Sequence, residues 1–423
     1  MKDIRVGKTH LKIRLVFGLM TALAWAGPAA AEATAVFSDT GPDAAAYGEH
    51  EGYPVGTKQN LGSQRTLVGA YSHFDELRPG REVPAPATAS VLTRAADELK
   101  LTYSYLGQTY TLDDYLERNP ATGLLILHDH TIQYEHYRYA RTDRDRFTSQ
   151  SMAKTIVSML VGLAVADGKI HSVDDKVADY IPELAGTEPG RIPLRALLQM
   201  TSGLRFHEVY DGKDDIMHLS HALMQPNGAG PVAAVAQFNV RAAQPGVVFN
   251  YAGLNTELLS LVVTKAVGMN LSDYASTRLW QPIGAEAAAT WTIDGTGHEV
   301  GYCCFNAVLR DWGRLGALLA NDGTWDGTQV IPKQWLLEAT TEQTPILAPN
   351  VGGRRLGFGY QVWLLPGERR EFALRGIFGQ AINIDPTSHT VLVQTAVLPK
   401  ATNNASNAEL TALWNALVAH NAN

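Results

Sequence analysis

The chain has 423 residues, of which 45% are hydrophobic and 18% are charged, and its formal net charge is −7. This length and composition are typical of a globular protein with one or two domains and exclude a low-complexity chain. The negative charge, without any cluster of lysines and arginines, argues against a nucleic-acid partner.

The first 31 residues are predicted to be a secretory signal peptide. An apolar segment, Leu15–Trp25, is too short to span a bilayer, and the small residues Ala29–Ala31 supply a cleavage site. The segment before the apolar stretch is basic, with Lys2, Arg5, Lys8, Lys12 and Arg14. We therefore expect cleavage after Ala31 and a periplasmic or secreted protein whose mature chain has no membrane span. An uncleaved membrane anchor is the alternative.

The next part of the chain contains little periodic structure. Residues 32–87 are rich in Gly, Pro, Ala and polar side chains, which predicts an extended N-terminal arm. A helix is expected over residues 89–99. Two strand-like runs, 122–127 and 132–139, are separated by turn residues at 129–131 and predict a β-hairpin.

Ser151 and Lys154 form the pattern of greatest chemical interest. No other serine in the chain has a lysine three positions later, and the apolar residues that follow have helical spacing up to Gly168. Three positions are about one helical turn, so both side chains lie on one face. A serine hydroxyl needs a base to become a nucleophile, and a desolvated lysine can be that base. A helix with an ordinary exposed lysine is the alternative.

The region between about 165 and 340 is predicted to be mostly helical. Tyr251 precedes a helix that we expect to begin at Asn255 or Thr256 and to end at Gly268. Tyr210 lies in a polar segment, 205–232, that is expected to be a loop near the site; its His and Asp spacing fits no zinc pattern.

The two cysteines of the chain, Cys303 and Cys304, are adjacent. Consecutive Cα atoms are about 3.8 Å apart, which is shorter than the usual disulfide range. We therefore expect no disulfide between them.

The C-terminal part returns to strand-like periodicity after an amphipathic helix at 306–321. Its strand-like runs are 357–363, 372–376, 380–384 and 391–397, and a helix over 406–420 has Ser406 and Glu409 as a capping box. The pattern predicts an α+β fold, with an antiparallel β-sheet flanked by helices and an inserted helical region. The predicted domain is 88–423, with its α/β part at 88–150 and 350–423 and its helical part at about 165–340.

Several segments are similar to the β-lactamase-related serine hydrolases, a group that includes class C β-lactamases, D-alanyl-D-alanine carboxypeptidases, family VIII esterases and 6-aminohexanoate-dimer hydrolases. The resemblance runs from about residue 70 to the C-terminus and is greatest to the last group. The segments that carry it are Ser72–Leu77, Leu112–Leu116, Arg141–Lys154, Met200–Gly203, Gly357–Gln361 and Gly376–Gln380. The fold that it implies is that of serine β-lactamases and penicillin-binding proteins.

The resemblance implies a role for each matching residue. Ser151 would be the acylated nucleophile, Lys154 the base that takes its proton, and Tyr251 the proton relay to the leaving group and to water. The backbone N–H groups of Ser151 and Ile377 would form the oxyanion hole. For Tyr251, a purely structural role as a packing residue is the alternative. Tyr210 resembles a loop tyrosine that closes over substrate in amide-cleaving members. No metal or organic cofactor is implied.

The chain departs from the family in two of its three motifs. The second motif is usually Tyr-x-Asn, but Gly253 stands where the asparagine is expected. The third motif is usually Lys-Thr-Gly or His-x-Gly, and here Arg375 precedes Gly376. Arg375 and Gly376 are therefore candidates for substrate binding, with a surface arginine and an ordinary strand glycine as the alternatives.

These observations predict an exported serine hydrolase that cleaves a small ester or linear amide through an acyl-enzyme. Two alternatives stay open: a catalytically weak binding module of the penicillin-recognition fold, and a β-lactamase or D-Ala carboxypeptidase. The expected partner is a small-molecule substrate, and no pattern specifies an oligomeric state.

Overall fold

The structure is a computed structural model that describes Met1 and residues 32–225 and 228–422. Residues 2–31, which contain nearly all of the predicted signal peptide, lie outside the described ranges. Within those ranges, every helix is too short or too polar to cross a membrane.

The described chain contains seventeen strands, most of them before residue 153 or after residue 339. The strands are β1 (Val36–Phe37), β2 (Gly80–Val83), β3 (Thr93–Arg94), β4 (Thr102–Tyr105), β5 (Gln108–Thr111), β6 (Ala121–His128), β7 (Thr131–Tyr137), β8 (Phe147–Thr148), β9 (Ala289–Thr292), β10 (Phe305–Ala307), β11 (Thr324–Trp325), β12 (Thr328–Gln329), β13 (Gly357–Phe358), β14 (Trp363–Leu364), β15 (Phe372–Gly376), β16 (Gln380–Asp385) and β17 (Thr390–Ala396).

The helices cluster between β8 and β13. They are α1 (Gln64–Ser72), α2 (Phe74–Leu77), α3 (Leu112–Arg118), α4 (Ala153–Ala166), α5 (Val177–Tyr180), α6 (Leu194–Leu198), α7 (Asp215–Leu223), α8 (Gly230–Ala236), α9 (Gly253–Val267), α10 (Leu271–Ala275), α11 (Leu309–Ala320), α12 (Lys333–Ala339) and α13 (Asn404–Asn421). Two short 3-10 turns, Gln150–Met152 and Ile377–Gly379, border the site described below.

The main sheet joins the two ends of the domain. Its order is β1-β7-β6-β17-β16-β15-β14-β13, with β3 also paired to β7. The hairpin expected at 122–139 is present as β6 and β7, and Asp129 in its turn adopts φ 52°. The C-terminal strand β17 pairs antiparallel with β6, so the helical region is an insertion into the sheet. The predicted α+β fold is confirmed, except that β1 and β3 run parallel to β7.

Both faces of this sheet are covered by helices. In β6, Leu124 and Ile126 pack in the core beneath α3 and α13, whereas Leu125 and Leu127 pack in the core beneath α11. All four are fully buried. Successive side chains of a strand point to opposite faces, so a strand covered on both faces buries every side chain. Each buried side chain contributes about 1.5–3 kcal/mol through burial of apolar surface.

Helix α11 approaches the sheet closely because it carries two glycines on its inner face. A Cβ atom at Gly313 would lie 2.6 Å from Leu125 Cδ2, and one at Gly316 would lie 2.5 Å from Val391 Cγ1. Larger residues at these positions would push the helix away from the strands.

Gln361 joins the helical insertion to the sheet. Its side chain donates to the Leu197 carbonyl oxygen at 2.7 Å and accepts from the Thr256 hydroxyl at 2.7 Å. Its backbone oxygen accepts from Thr155 Oγ1 at 2.7 Å. Helices α4, α6 and α9 are thereby fixed to the segment before β14, and this segment interrupts the strand predicted over 357–363.

The predicted extended arm is wrong for much of its length. Residues 32–87 include α1 and α2, and in α1 every residue from Thr66 to Ser72 is buried. Tyr47 and Tyr53 pack edge-on against Tyr139. The Gly- and Pro-rich composition did not predict these helices. Each helix is short and gains its stability from tertiary packing, which the local sequence does not reveal.

Three local predictions are also wrong. Residues 89–99 form no helix but include β3, which pairs with β7. Helix α9 begins at Gly253, before the expected caps. The cap of α13 is Asn403, and Glu409 instead accepts hydrogen bonds from Tyr103, Arg118 and Asn119. The pairing of β3 and the hydrogen bonds of Glu409 depend on partners distant in sequence.

The expectation for the cysteines is wrong as well. Cys303 and Cys304 form a disulfide although their Cα atoms are 3.7 Å apart. Cys304 adopts φ 69°, a left-handed conformation that is uncommon for residues other than glycine.

Candidate active site

Ser151 lies in the 3-10 turn Gln150–Met152, between β8 and α4. The turn is held by Ser149, whose N–H donates to the Phe305 carbonyl oxygen at 2.7 Å and whose hydroxyl accepts from the Phe305 N–H at 3.0 Å. Gln150 adopts φ 45°, a left-handed conformation that is costly for a residue with a side chain. The surrounding contacts therefore hold Ser151 on a strained turn, a feature that is frequent at functional sites.

Lys154 lies on the first turn of α4 with 2% of its surface exposed. Its Nζ donates to Ser151 Oγ at 2.8 Å and to the Tyr302 carbonyl oxygen at 2.9 Å. Burial lowers the pKa of Lys154 from its ordinary 10.5 to about 8, although the Glu208 carboxylate opposes this change. A neutral amine at this position is able to accept the Ser151 proton.

Tyr251 stands on the other side of Ser151. Its ring stacks on Trp363, with centroids 5.5 Å apart, and meets the edge of Phe358. Lys154 Nζ lies 5.1 Å from the ring centroid. Burial, together with the Glu208 carboxylate, raises the pKa of Tyr251 well above 10, while a hydrogen bond with Ser151 acts in the opposite direction. Tyr251 therefore stays a protonated phenol at neutral pH.

Gly376 brings the end of β15 against the Ser151 turn. A Cβ atom at Gly376 would lie 2.5 Å from the Ser149 carbonyl oxygen and 3.0 Å from Gln150 Cβ, so only glycine allows this approach. Ile377 follows directly and lines the same cavity as Ser151. The proximity of these two segments fits the predicted oxyanion hole at the N–H groups of Ser151 and Ile377, whose role stays a prediction.

The cavity above Ser151 has a volume of about 650 Å³. This size suits a small organic substrate. The side chains that bound it include Ser151, Glu208, Tyr210, Tyr251, Arg355, Trp363 and Arg375.

Arg375 and Arg355 give one wall of the cavity a positive charge. Burial, opposed by Tyr115 and assisted by the neighbouring Arg355, lowers the pKa of Arg375 to about 10, but the guanidinium stays charged at neutral pH. Within residues 32–225 and 228–422, no carboxylate forms an ion pair with either arginine. Their charges are thus available to a ligand in the cavity.

Glu208 is one of the residues of this cavity that sequence reasoning missed, together with Arg355 and Trp363. It accepts hydrogen bonds from the Tyr210 hydroxyl at 2.8 Å and from the Gly253 N–H at 2.5 Å. The resemblance drew attention to Tyr210, two positions later, but no spacing in the chain links Glu208 with Ser151.

The residues that the sequence singled out are gathered in one place. Six of them line the cavity: Ser151, Tyr210, Tyr251, Arg375, Gly376 and Ile377. Lys154 contacts Ser151 from beneath. Chemically, the group combines a hydroxyl nucleophile, an amine of lowered pKa and a protonated phenol, which together suit acyl transfer.

Comparison with known proteins identifies the family of this chain. The family model "Beta-lactamase" matches residues 111–413. A 6-aminohexanoate-dimer hydrolase of Paenarthrobacter ureafaciens is 26% identical over 300 residues, which cover 68% of this chain and 75% of that protein.

Two solved structures share the fold. A Bacillus anthracis protein described as a candidate 6-aminohexanoate-dimer hydrolase has a TM-score of 0.77 and 24% identity, and the match covers 86% of this chain and 96% of that one. A family VIII carboxylesterase has a TM-score of 0.54 and 16% identity, with 71% and 93% of the two chains covered. The chain therefore belongs to the beta-lactamase family and is a serine hydrolase of the amidase or esterase type.

Proposed function

We propose that this protein hydrolyses a small ester or linear amide through an acyl-enzyme formed on Ser151. The observation that carries the proposal is the position of Lys154, buried and hydrogen bonded to the Ser151 hydroxyl at 2.8 Å. Its lowered pKa, about 8, leaves an appreciable fraction of neutral amine near neutral pH, as a general base requires.

Each residue has one role in the proposed reaction. Ser151 Oγ attacks the substrate carbonyl carbon while its proton moves to Lys154, and the N–H groups of Ser151 and Ile377 stabilise the negative charge on the oxygen. Tyr251 passes the proton that Lys154 took from Ser151 on to the leaving alcohol or amine. Water then attacks the acyl carbon, its proton passes through Tyr251 and Lys154 to Ser151 Oγ, and cleavage of the bond between the acyl carbon and Oγ releases the acid and restores Ser151.

We propose a linear substrate that carries a carboxylate. The unpaired charges of Arg375 and Arg355 favour such a group, because arginine binds carboxylates in bidentate geometry. The absence of a third-motif lysine disfavours a β-lactam as the main substrate. The name of the Paenarthrobacter ureafaciens relative supports a linear amide of the 6-aminohexanoate-dimer type.

The experiment is a comparison of wild type with Ser151→Ala on p-nitrophenyl acetate, together with intact-mass measurement after fluorophosphonate treatment. We expect turnover and one covalent adduct in wild type and neither in the variant. Ser158→Ala is the matched control, because this serine lies on α4, the helix that follows the Ser151 turn, and its buried hydroxyl has no partner in the described structure. Turnover that survives Ser151→Ala refutes the mechanism.

Intact-mass measurement, repeated with penicillin, also tests the two alternatives. A binding module would bind ligand without any adduct in wild type. A β-lactamase or D-Ala carboxypeptidase would form an acyl adduct with penicillin, and would hydrolyse or release it.

We also propose that the protein is exported, on the basis of its basic and apolar N-terminal sequence. Intact-mass analysis of protein from the periplasm or medium is expected to give a chain that begins at Glu32. Recovery of the full-length chain from the membrane fraction would contradict this proposal.

A further inference from the structure

We propose that Glu208 is a positioning residue of this site, whose carboxylate fixes the start of α9 beside Tyr251 and holds a negative charge near Lys154. This inference rests on the proposed function, since it assigns a task within the same reaction.

The contacts of Glu208 join two elements that border the substrate cavity. One carboxylate oxygen accepts from the Tyr210 hydroxyl at 2.8 Å, and the other accepts from the Gly253 N–H at 2.5 Å. Gly253 is the first residue of α9, two positions after Tyr251. A carboxylate at the N-terminus of a 15-residue helix also interacts favourably with the helix dipole.

The carboxylate occupies space that a side chain at position 253 would otherwise fill. A Cβ atom on Gly253 would lie 3.2 Å from Glu208 Oε2 and 2.7 Å from Ile216 Cδ1. Gly253 offers no side-chain hydrogen bond to the site, and Glu208 brings a polar group to the same place from another loop. The polar group missing from the second motif is thus supplied by a residue distant in sequence.

Glu208 also affects the charge of Lys154. Among the described residues, it is the carboxylate that raises the pKa of Lys154 against the effect of burial. The other groups around Lys154 Nζ are the Ser151 hydroxyl, the Tyr302 carbonyl oxygen and the rings of Tyr251 and Tyr302. Glu257, on α9, raises the pKa of Tyr302 and does not act on Lys154.

The loop backbone also has hydrogen bonds that do not involve the Glu208 side chain. Asp214 holds the loop backbone by accepting from the N–H groups of Val209 and Tyr210, both at 2.7 Å. A change at Glu208 is therefore expected to alter the site without unfolding the loop, and this separates a positioning role from a structural one.

The test is the pH profile of kcat/KM of Glu208→Gln on p-nitrophenyl acetate, which reports the pKa of the essential base in the free enzyme. Glutamine keeps the size and one of the two accepting oxygens but removes the charge. Loss of a negative neighbour lowers the pKa of Lys154, so the acid limb is expected to move about one pH unit lower. An acid limb that coincides with that of wild type overturns the electrostatic role.

Glu208→Ala tests the positioning role. We expect kcat to fall roughly 10- to 100-fold, as for other displacements of about 1 Å in a reacting group, with the Tm within a few degrees of wild type. An unchanged kcat overturns this role.

The control is Asp211→Asn, which removes an exposed charge from the same loop; its side chain accepts only from the Lys213 N–H. We expect its profile to match that of wild type. If Ser151→Ala retains turnover, the proposed function fails; if Ser151→Ala is inactive but the Glu208→Gln profile is unchanged, only the role of Glu208 fails.

Discussion

Lys154 Nζ lies 2.8 Å from Ser151 Oγ while only 2% of the lysine surface is exposed. An ammonium group that is so deeply buried loses most of its hydration. Ser151 Oγ and the Tyr302 carbonyl oxygen replace this hydration only in part. The fold thereby makes the neutral amine accessible next to the hydroxyl that it is proposed to deprotonate.

The pH dependence of the wild-type enzyme should follow from this burial. The pKa of Lys154 is lowered to about 8, and the neutral amine is the active base. We expect kcat/KM to rise about tenfold per unit as pH approaches 8 and then to level off. A rate that is independent of pH from about 6 to 9 would show that another group is the base.

Lys154→Met should abolish turnover and stabilise the protein. Below pH 8 the folded chain contains a charged lysine at a site that lowers its pKa, which costs stability relative to the unfolded chain. We expect a gain of about 1–3 kcal/mol near neutral pH from removal of this charge, less the cost of the lost bond to the Tyr302 carbonyl.

Urea unfolding at several pH values checks this prediction. The gain should shrink as pH rises from about 8 and vanish above the ordinary lysine pKa of 10.5. Lys169→Met, at an exposed lysine, should show no gain. Destabilisation by Lys154→Met at every pH would be the contrary result.

Tyr251→Phe should slow both proton-transfer steps while leaving the packing intact. The ring would still stack on Trp363, but the phenol proton would be absent. We expect kcat to fall about 100-fold or more, and intact-mass spectra during ester turnover should show which step becomes limiting. A kcat of Tyr251→Phe equal to that of wild type would show that the Tyr251 hydroxyl takes no part in the reaction.

Arg375→Gln should change selectivity between substrates. For a pair of esters that differ only in a terminal carboxylate, we expect KM to rise about tenfold or more for the anionic ester and to stay nearly constant for the neutral one, because a charged hydrogen bond is lost. Arg144→Gln, at an exposed arginine outside this cavity, is the charge-matched control. Equal effects on both esters would contradict carboxylate binding.

Gly376→Ala should impair the site through a steric effect. The added methyl group would meet the Ser149 carbonyl oxygen at 2.5 Å, which forces β15 and the Ser151 turn apart. If Ile377 and Ser151 are oxyanion donors, we expect a loss of about 100- to 1000-fold in kcat. Gly62→Ala, where nothing lies within 4 Å of the added atom, should be silent in the same ester assay.

The sequence by itself indicated several local elements and the candidate nucleophile. The strand-like apolar run at 122–127 predicted β6, and the helical spacing after Ser151 predicted α4. The Ser151–Lys154 pair was identifiable because its geometry is set within a single helical turn. Family resemblance then indicated Tyr251 and Ile377.

Only the tertiary structure decided the chemical environment of that pair. The pKa of Lys154 depends on burial by residues from distant elements, and Glu208 reaches the site through contacts with Gly253 and Tyr210. Whether the charge of Arg375 is free to bind a substrate carboxylate likewise depends on which carboxylates of the protein lie nearby in space. Desolvation and charge pairing act through space over a few ångströms and have no fixed spacing along the chain, so the sequence pattern around Ser151 and Lys154 could locate the reactive pair but not its reactivity.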